Sequence, residues 1–178
     1  MHGFWVKRQL LLILKKKTMK TFALLSILLL TGIQSFAQKA AKEDLVWYTD
    51  LNKAVEVANK ENKPIMLFFT GSDWCGWCKK LQNEVFTKSE FKSWANENVV
   101  LMEVDFPSAN VPQSEELKTQ NRMLQQQFAV RGYPTCWFIK ADKLKDGKVN
   151  FTQLGSKGYE AGGPVNWTNG ATMLIKAN

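Results

Sequence analysis

The sequence predicts an α/β domain. Helical and strand-like segments alternate along the chain, several apolar runs have strand length, and Asp146-Gly147 separates the last two strand-like runs as a hairpin turn. Residues 50–60 open the alternation. Leu51, Ala54, Val55 and Ala58 recur at i, i+3, i+4 and i+7, one face of a helix, and Thr49 or Asp50 can cap its first turn. Pro64 ends that helix, and the apolar residues 65–69 read as a buried strand. Helical composition runs from Cys75 through Phe86, with a further helical turn over residues 91–96. Residues 99–105 form the next strand, and Pro107 and Pro112 bound a loop. A helix over residues 114–128 follows, with Ser114 as its cap. Residues 135–140 and 149–154 are the strands on either side of the hairpin turn. Residues 155–170 are glycine-rich with weak periodicity, and a short helix over 166–176 closes the chain.

The first 37 residues differ in kind. They hold six Lys or Arg and no acid, then an apolar stretch over 22–30, then Ser35-Phe36-Ala37. That order is a secretory signal with cleavage expected after Ala37, and Met19-Lys20 would itself serve as a start. Residues 38–46 are expected to be a flexible N-terminus and 47–178 the folded domain. The whole chain has 24 basic and 16 acidic residues, so losing six basic ones leaves 18 against 16. The positive charge therefore belongs mostly to the leader, which argues against a nucleic-acid partner. Export, to the periplasm or beyond, also means that paired cysteines can rest oxidised.

Trp74-Cys75-Gly76-Trp77-Cys78 carries the chemistry. Two thiols with two residues between them can close one small disulfide and reopen it. Placed where a strand hands over to a helix, the first cysteine meets unpaired backbone N–H groups, which favour its thiolate. Cys75 is thus the expected nucleophile and Cys78 the resolving partner. The same spacing also suits half of a metal site. A closed zinc site lacks ligands, since Cys136 is the sole further thiol and His2 the sole histidine, whereas two thiolates are enough for Cu(I). No metal or other cofactor is expected beyond the redox-active pair.

With its second motif, Val130-Arg131-Gly132-Tyr133-Pro134-Thr135, the chain resembles the thioredoxin superfamily over roughly residues 47–176. Details of the loops resemble the secreted thioredoxin-like reductases of Gram-negative bacteria. The resemblance implies a central mixed β-sheet of about four to five strands flanked by helices on both faces. It also implies a cis Pro134 facing the cysteines, where the backbone of Tyr133 can add a substrate peptide as a strand. Trp74, Gly76, Trp77, Tyr133 and Pro134 are accordingly the expected substrate-binding residues. Trp77 is expected at the surface, while Trp74 suits either a docking surface or the core.

The chain departs from the family at one point. Where cytosolic thioredoxins place a buried aspartate and a nearby lysine, this sequence has Phe68 or Phe69 and Leu101, leaving Glu103, Asp105 and Glu84 as weak substitutes for the base that deprotonates Cys78. The Gly76-Trp77 pair brings no histidine or charge between the thiols, which points to a reductant of protein or small-molecule disulfides fed by a membrane-bound electron donor. An oxidase or isomerase of the same fold and a Cu(I)-binding dithiol chaperone are the alternatives. No added dimerisation segment is evident, so a monomer is expected. Cys136, in an apolar strand, reads as an inert core thiol; Lys79 and Lys80 read as a solvated helix face, and Met102, Met123 and Met173 as core.

Overall fold

The computed structural model describes residues 45–144 and 147–177. The leader, residues 38–44 of the expected flexible N-terminus and Asp146 of the hairpin turn lie outside the described residues. The elements in order are β1 (Trp47–Tyr48), α1 (Leu51–Glu61), β2 (Ile65–Thr70), α2 (Gly76–Leu81) running into a π-helical turn (Gln82–Phe86), α3 (Ser89–Asn98), β3 (Val100–Asp105), α4 (Glu115–Gln127), β4 (Thr135–Lys143), β5 (Val149–Lys157) and α5 (Gly163–Lys176).

One mixed sheet has the order β1-β3-β2-β4-β5. β1 and β2 run parallel to β3, while β4 runs antiparallel to both β2 and β5. All six residues of β2 are buried, as a central strand covered on both faces requires. Alternation then divides them. Ile65, Leu67 and Phe69 meet α1 and α4 through Leu51, Val55, Leu124 and Phe128, while Met66 and Phe68 meet Cys78, Leu81, Phe86, Phe91 and Trp167. The sheet thus separates two cores, and the cysteines belong to the second.

Local chemistry sets the helix ends. The Asp50 carboxylate accepts a hydrogen bond from the Lys53 N–H at 2.8 Å, and Asn62, at φ 52°, closes α1 in the left-handed conformation. Ser114 caps α4 through the Leu117 N–H. Trp167 of α5 is fully buried, with edge contacts to Phe86, Phe91 and Trp94, and its indole N–H donates to the Gly158 carbonyl at 2.9 Å.

Several elements differ from expectation. β1 is too short to show as a pattern, and pairing of Trp47 and Tyr48 with Leu101 and Met102 creates it. The helix after Cys75 loses α geometry at Gln82, and α3 is a full helix because Phe91 and Ala95 are buried against the aromatic layer. β5 extends through Gly155 to Lys157 by pairing with Cys136, and α5 begins at Gly163 with Pro164 in its first turn. Met102 is buried as expected, but Met123 and Met173 are exposed, on the outer faces of α4 and α5.

Leu154 is an extra residue on β5 between the partners of Phe138 and Ile139, and Gly155 beside it sits at φ 141°. A Cβ there would lie 2.8 Å from Leu174 Cδ2. Gly155→Ala is therefore expected to cost about 1–3 kcal/mol, from backbone strain and the displaced leucine. A urea midpoint unchanged from the parent would refute this.

Candidate active site

β2 ends at Thr70, and the chain turns so that the Cys75 N–H donates to the Gly71 carbonyl at 2.9 Å. Cys75 is the N-cap of α2. Its Sγ accepts from the Cys78 N–H at 3.1 Å, and the two cysteines form a disulfide with Cα atoms 5.2 Å apart. Gly76 meets nothing within 4 Å of an added Cβ, so the loop between the thiols is open. Cys75 is 5% exposed and Cys78 is 0% exposed, so attack from outside reaches Cys75. When the disulfide opens, the backbone donor at Cys75 favours its charged form.

The second motif meets the first through the sheet. Phe69 near the end of β2 pairs with Thr135 at the start of β4, so the residues just before Thr135 lie at the same end as the cysteine turn. The Tyr133–Pro134 peptide bond is cis. Tyr133 lies outside the β2–β4 ladder, and its hydroxyl accepts from the Gln125 amide at 2.7 Å.

Two aromatic groups flank the disulfide. Trp74, 55% exposed, makes an edge contact with Tyr133, which stacks on Phe106, and its indole N–H donates to the Phe106 carbonyl at 2.8 Å. This places Trp74 at the surface and not in the core. Trp77, 58% exposed, lies 5.3 Å from Tyr159 between ring centroids. Lys80 is exposed on the helix face as expected, and its ammonium also sits 5.0 Å from the Trp77 ring centroid and 4.9 Å from that of Tyr159, a cation–π arrangement. Lys79 likewise reaches back to the Asp73 carbonyl at 2.6 Å. The Tyr159 hydroxyl donates to Glu84 at 2.6 Å, which raises the Tyr159 pKa.

A reciprocal tie holds the cysteine turn to the loop after β3. Asp105 accepts from the Ser72 N–H and hydroxyl, at 2.8 and 2.6 Å, and Asp73 accepts from the Ser108 N–H and hydroxyl. The Ser108 hydroxyl, then its N–H, holds the Asp73 carboxyl below its ordinary value. Tyr159, Phe106 and these serine–aspartate ties escaped the sequence reading. Serine and aspartate in both loops hinted at the ties, but nothing marked Tyr159, which reaches Trp77 only through the folding of β5 onto β4.

Cys136 is fully buried between Phe68 and Lys157 in the sheet, and burial pushes its thiol well above the ordinary range. Glu103, two-thirds of the way along β3, is also raised, first by burial and then by the Asp105 charge. Among the described residues no group of three or more His, Cys, Asp or Glu side chains is disposed to hold a metal ion.

A dithiol at the N-terminal end of a helix, on a mixed sheet with helices on both faces, defines a thioredoxin-like disulfide oxidoreductase. The thioredoxin-like domain family matches residues 51–155, and the chain belongs to it. Its relatives include the disulfide bond reductase DsbH of Chlamydia pneumoniae, 40% identical over 124 residues that cover 70% of this chain and 69% of that protein. The thioredoxin-related protein DsbJ of the same organism is 28% identical over 146 residues, 82% of this chain and 40% of that one. The solved structure of a DsbH oxidoreductase matches with a TM-score of 0.66 at 38% identity, covering 78% of this chain and 89% of that chain. A thioredoxin from Thermus thermophilus matches with a TM-score of 0.54 at 15% identity over 75% of this chain and 89% of its own, a likeness of fold alone.

Two expectations follow. Because the Asp73 pKa is depressed in the fold, its contribution to stability is present above the ordinary carboxyl value of 3.8 and is lost as pH falls through the lower folded value. Asp73→Asn should therefore flatten the acid limb of the urea midpoint between about pH 5 and 2, and an unaltered limb would count against the tie. With Cys75 and Cys78 blocked, a thiol reagent should modify Cys136 only after denaturation, and rapid labelling of the native protein would show an open strand.

Proposed function

We propose that the protein is an exported reductase of protein disulfides, with Cys75 as nucleophile and Cys78 as resolving thiol. The observation that carries this reading is the asymmetry of the pair: Cys75 keeps some exposure and its sulfur accepts a backbone N–H, while Cys78 is fully buried. The Cys75 thiolate attacks a substrate disulfide to give a mixed disulfide. Cys78 then attacks Cys75 and releases the reduced substrate.

The reducing direction rests on the residues between the thiols. Gly76 and Trp77 supply neither charge nor a ring nitrogen lone pair to stabilise the thiolate strongly, so the disulfide is a weak oxidant. The name of the 40%-identical relative, a disulfide bond reductase, supports the same direction. The exposed rings of Trp74 and Trp77 suit a protein substrate by offering apolar contact around the reactive sulfur. The basic and apolar order of residues 1–37 supports export to the periplasm after cleavage at Ala37, and an exported reductant requires a membrane-bound donor to reduce it again. The protein is taken to act as a monomer without a further cofactor.

Equilibration in thiol buffers, followed by tryptophan fluorescence, should give a reduction potential near or below about −230 mV. A value between about −120 and −180 mV would reassign the protein as an oxidase or isomerase. Cys75→Ser should abolish disulfide reduction, and Cys78→Ser should trap the mixed disulfide with substrate. Tight Cu(I) binding without reductase activity would replace the reading with a copper chaperone.

A further inference from the structure

Cys78 must lose a proton before it can resolve the mixed disulfide, and it is buried in an apolar cluster with Phe68, Leu81 and Phe86. An acceptor must therefore lie within reach of a sealed thiol. Three carboxylates near this end of the sheet come into question. Asp105 is engaged by Ser72, and Glu84 accepts from Tyr159 and lies 4.0 Å from Lys80. Glu103 alone of the three is largely buried with no hydrogen bond among the influences on its carboxyl.

Glu103 lies on the same face of the sheet as the cysteines. It pairs with Phe68 in the sheet, and strand alternation puts it with Leu101 on the face that carries the cysteines. It lines a cavity of about 400 Å³ with Gln82, Phe68, Phe86, Trp47 and Lys92, room for several water molecules. Gln82 follows Cys78 by one helical turn, and its N–H donates to the Cys78 carbonyl. Residues four apart on a helix have neighbouring side chains, about 5–6 Å between Cβ atoms. The π-helical turn begins at Gln82, so the change in helical geometry falls at the residue that joins the cavity lining to the helix carrying Cys78.

We propose that Glu103, through water held in this cavity beside Gln82, accepts the proton of the Cys78 thiol during resolution of the mixed disulfide. This rests on the dithiol reading above. As the proton passes to Glu103, the Cys78 sulfur bonds to the Cys75 sulfur and the bond from Cys75 to the substrate sulfur breaks. The electron pair of that bond leaves with the substrate sulfur, which is reduced to a thiolate and takes a proton from Glu103 or solvent. Cys75 and Cys78 end oxidised as their disulfide. Burial makes Glu103 a stronger base than a surface carboxylate. The charges that face it are Asp105 on its own strand and Lys92 of α3 across the cavity.

The test is stopped-flow reaction of the reduced protein with the aromatic disulfide 5,5′-dithiobis(2-nitrobenzoate), which releases one coloured thiolate on attack by Cys75 and a second when Cys78 resolves the adduct. The second phase is intramolecular and independent of reagent concentration. Glu103→Gln is expected to slow it at least about ten-fold at pH 7, with the first phase unchanged, and Glu103→Asp to restore part of the rate. The parent's second phase should rise with pH and level off, whereas in Glu103→Gln it should keep rising with pH. Gln82→Leu, which narrows the route without touching the carboxylate, should slow the same phase and keeps the test available if Glu103→Gln does not fold. A second phase within two-fold of the parent in both Glu103→Gln and Gln82→Leu, or an unaltered pH profile, overturns the assignment of Glu103 alone. Absence of a second release from the parent protein overturns the dithiol reading itself.

Discussion

The burial of β2 on both faces is the constraint on which the rest depends. Its first five side chains alternate between two cores, and its neighbours β3 and β4 run in opposite directions beside it. A slip of one residue would send Met66 and Phe68 to the wrong side and remove the floor beneath the disulfide. The same pairing brings the two motifs together. β2 delivers the chain outward to the cysteine turn, and the antiparallel β4 begins at that end just after Pro134.

The layer beneath the cysteines is largely aromatic. Phe86 stacks on Phe91 at 4.5 Å and meets Phe68 and Trp167 edge-on, so β2, the π-helical turn, α3 and α5 are packed through one set of rings. Such contacts add about 0.5–1.5 kcal/mol each to the area they bury. The reactive end of α2 is thereby seated on a rigid base while Cys75 itself reaches the edge of the surface. Above this layer the ties are polar. Ser72 with Asp105, and Asp73 with Ser108, hold the two loops together beside the bonds that Phe106 makes with Trp74 and Thr70. Charge-assisted bonds of this kind are directional, so they orient the cysteine turn as well as hold it.

These arrangements divide the molecule into a dry side and a reachable side. Cys78 and Cys136 share the dry side, packed in one cluster with Met66, Phe68 and Phe138, and Lys157 is the strand partner of Cys136. Trp74, Trp77 and Tyr159 form the reachable side, where each ring is fixed by another ring or by a polar partner although two of the three are largely exposed. An exposed aromatic held in place loses little conformational freedom when it meets a partner.

Much of this was legible in the sequence. The stripe Leu51, Ala54, Val55 and Ala58, the buried run of β2, the Ser114 cap and the cysteine spacing all follow from local periodicity and side-chain chemistry, which act between residues close in the chain. The sequence by itself determined the α/β class, the dithiol and its strand-to-helix setting. What it left open depends on partners far apart in the chain. β1 exists because β3 accepts it, β5 runs past Gly155 because β4 continues beside it, and Tyr159 stands against Trp77 because β5 and its exit loop fold back to the dithiol. Only the tertiary structure decided which carboxylates are already bonded and which faces a cavity. Hydrogen bonding and burial are properties of the packed molecule, and no spacing along the chain records them.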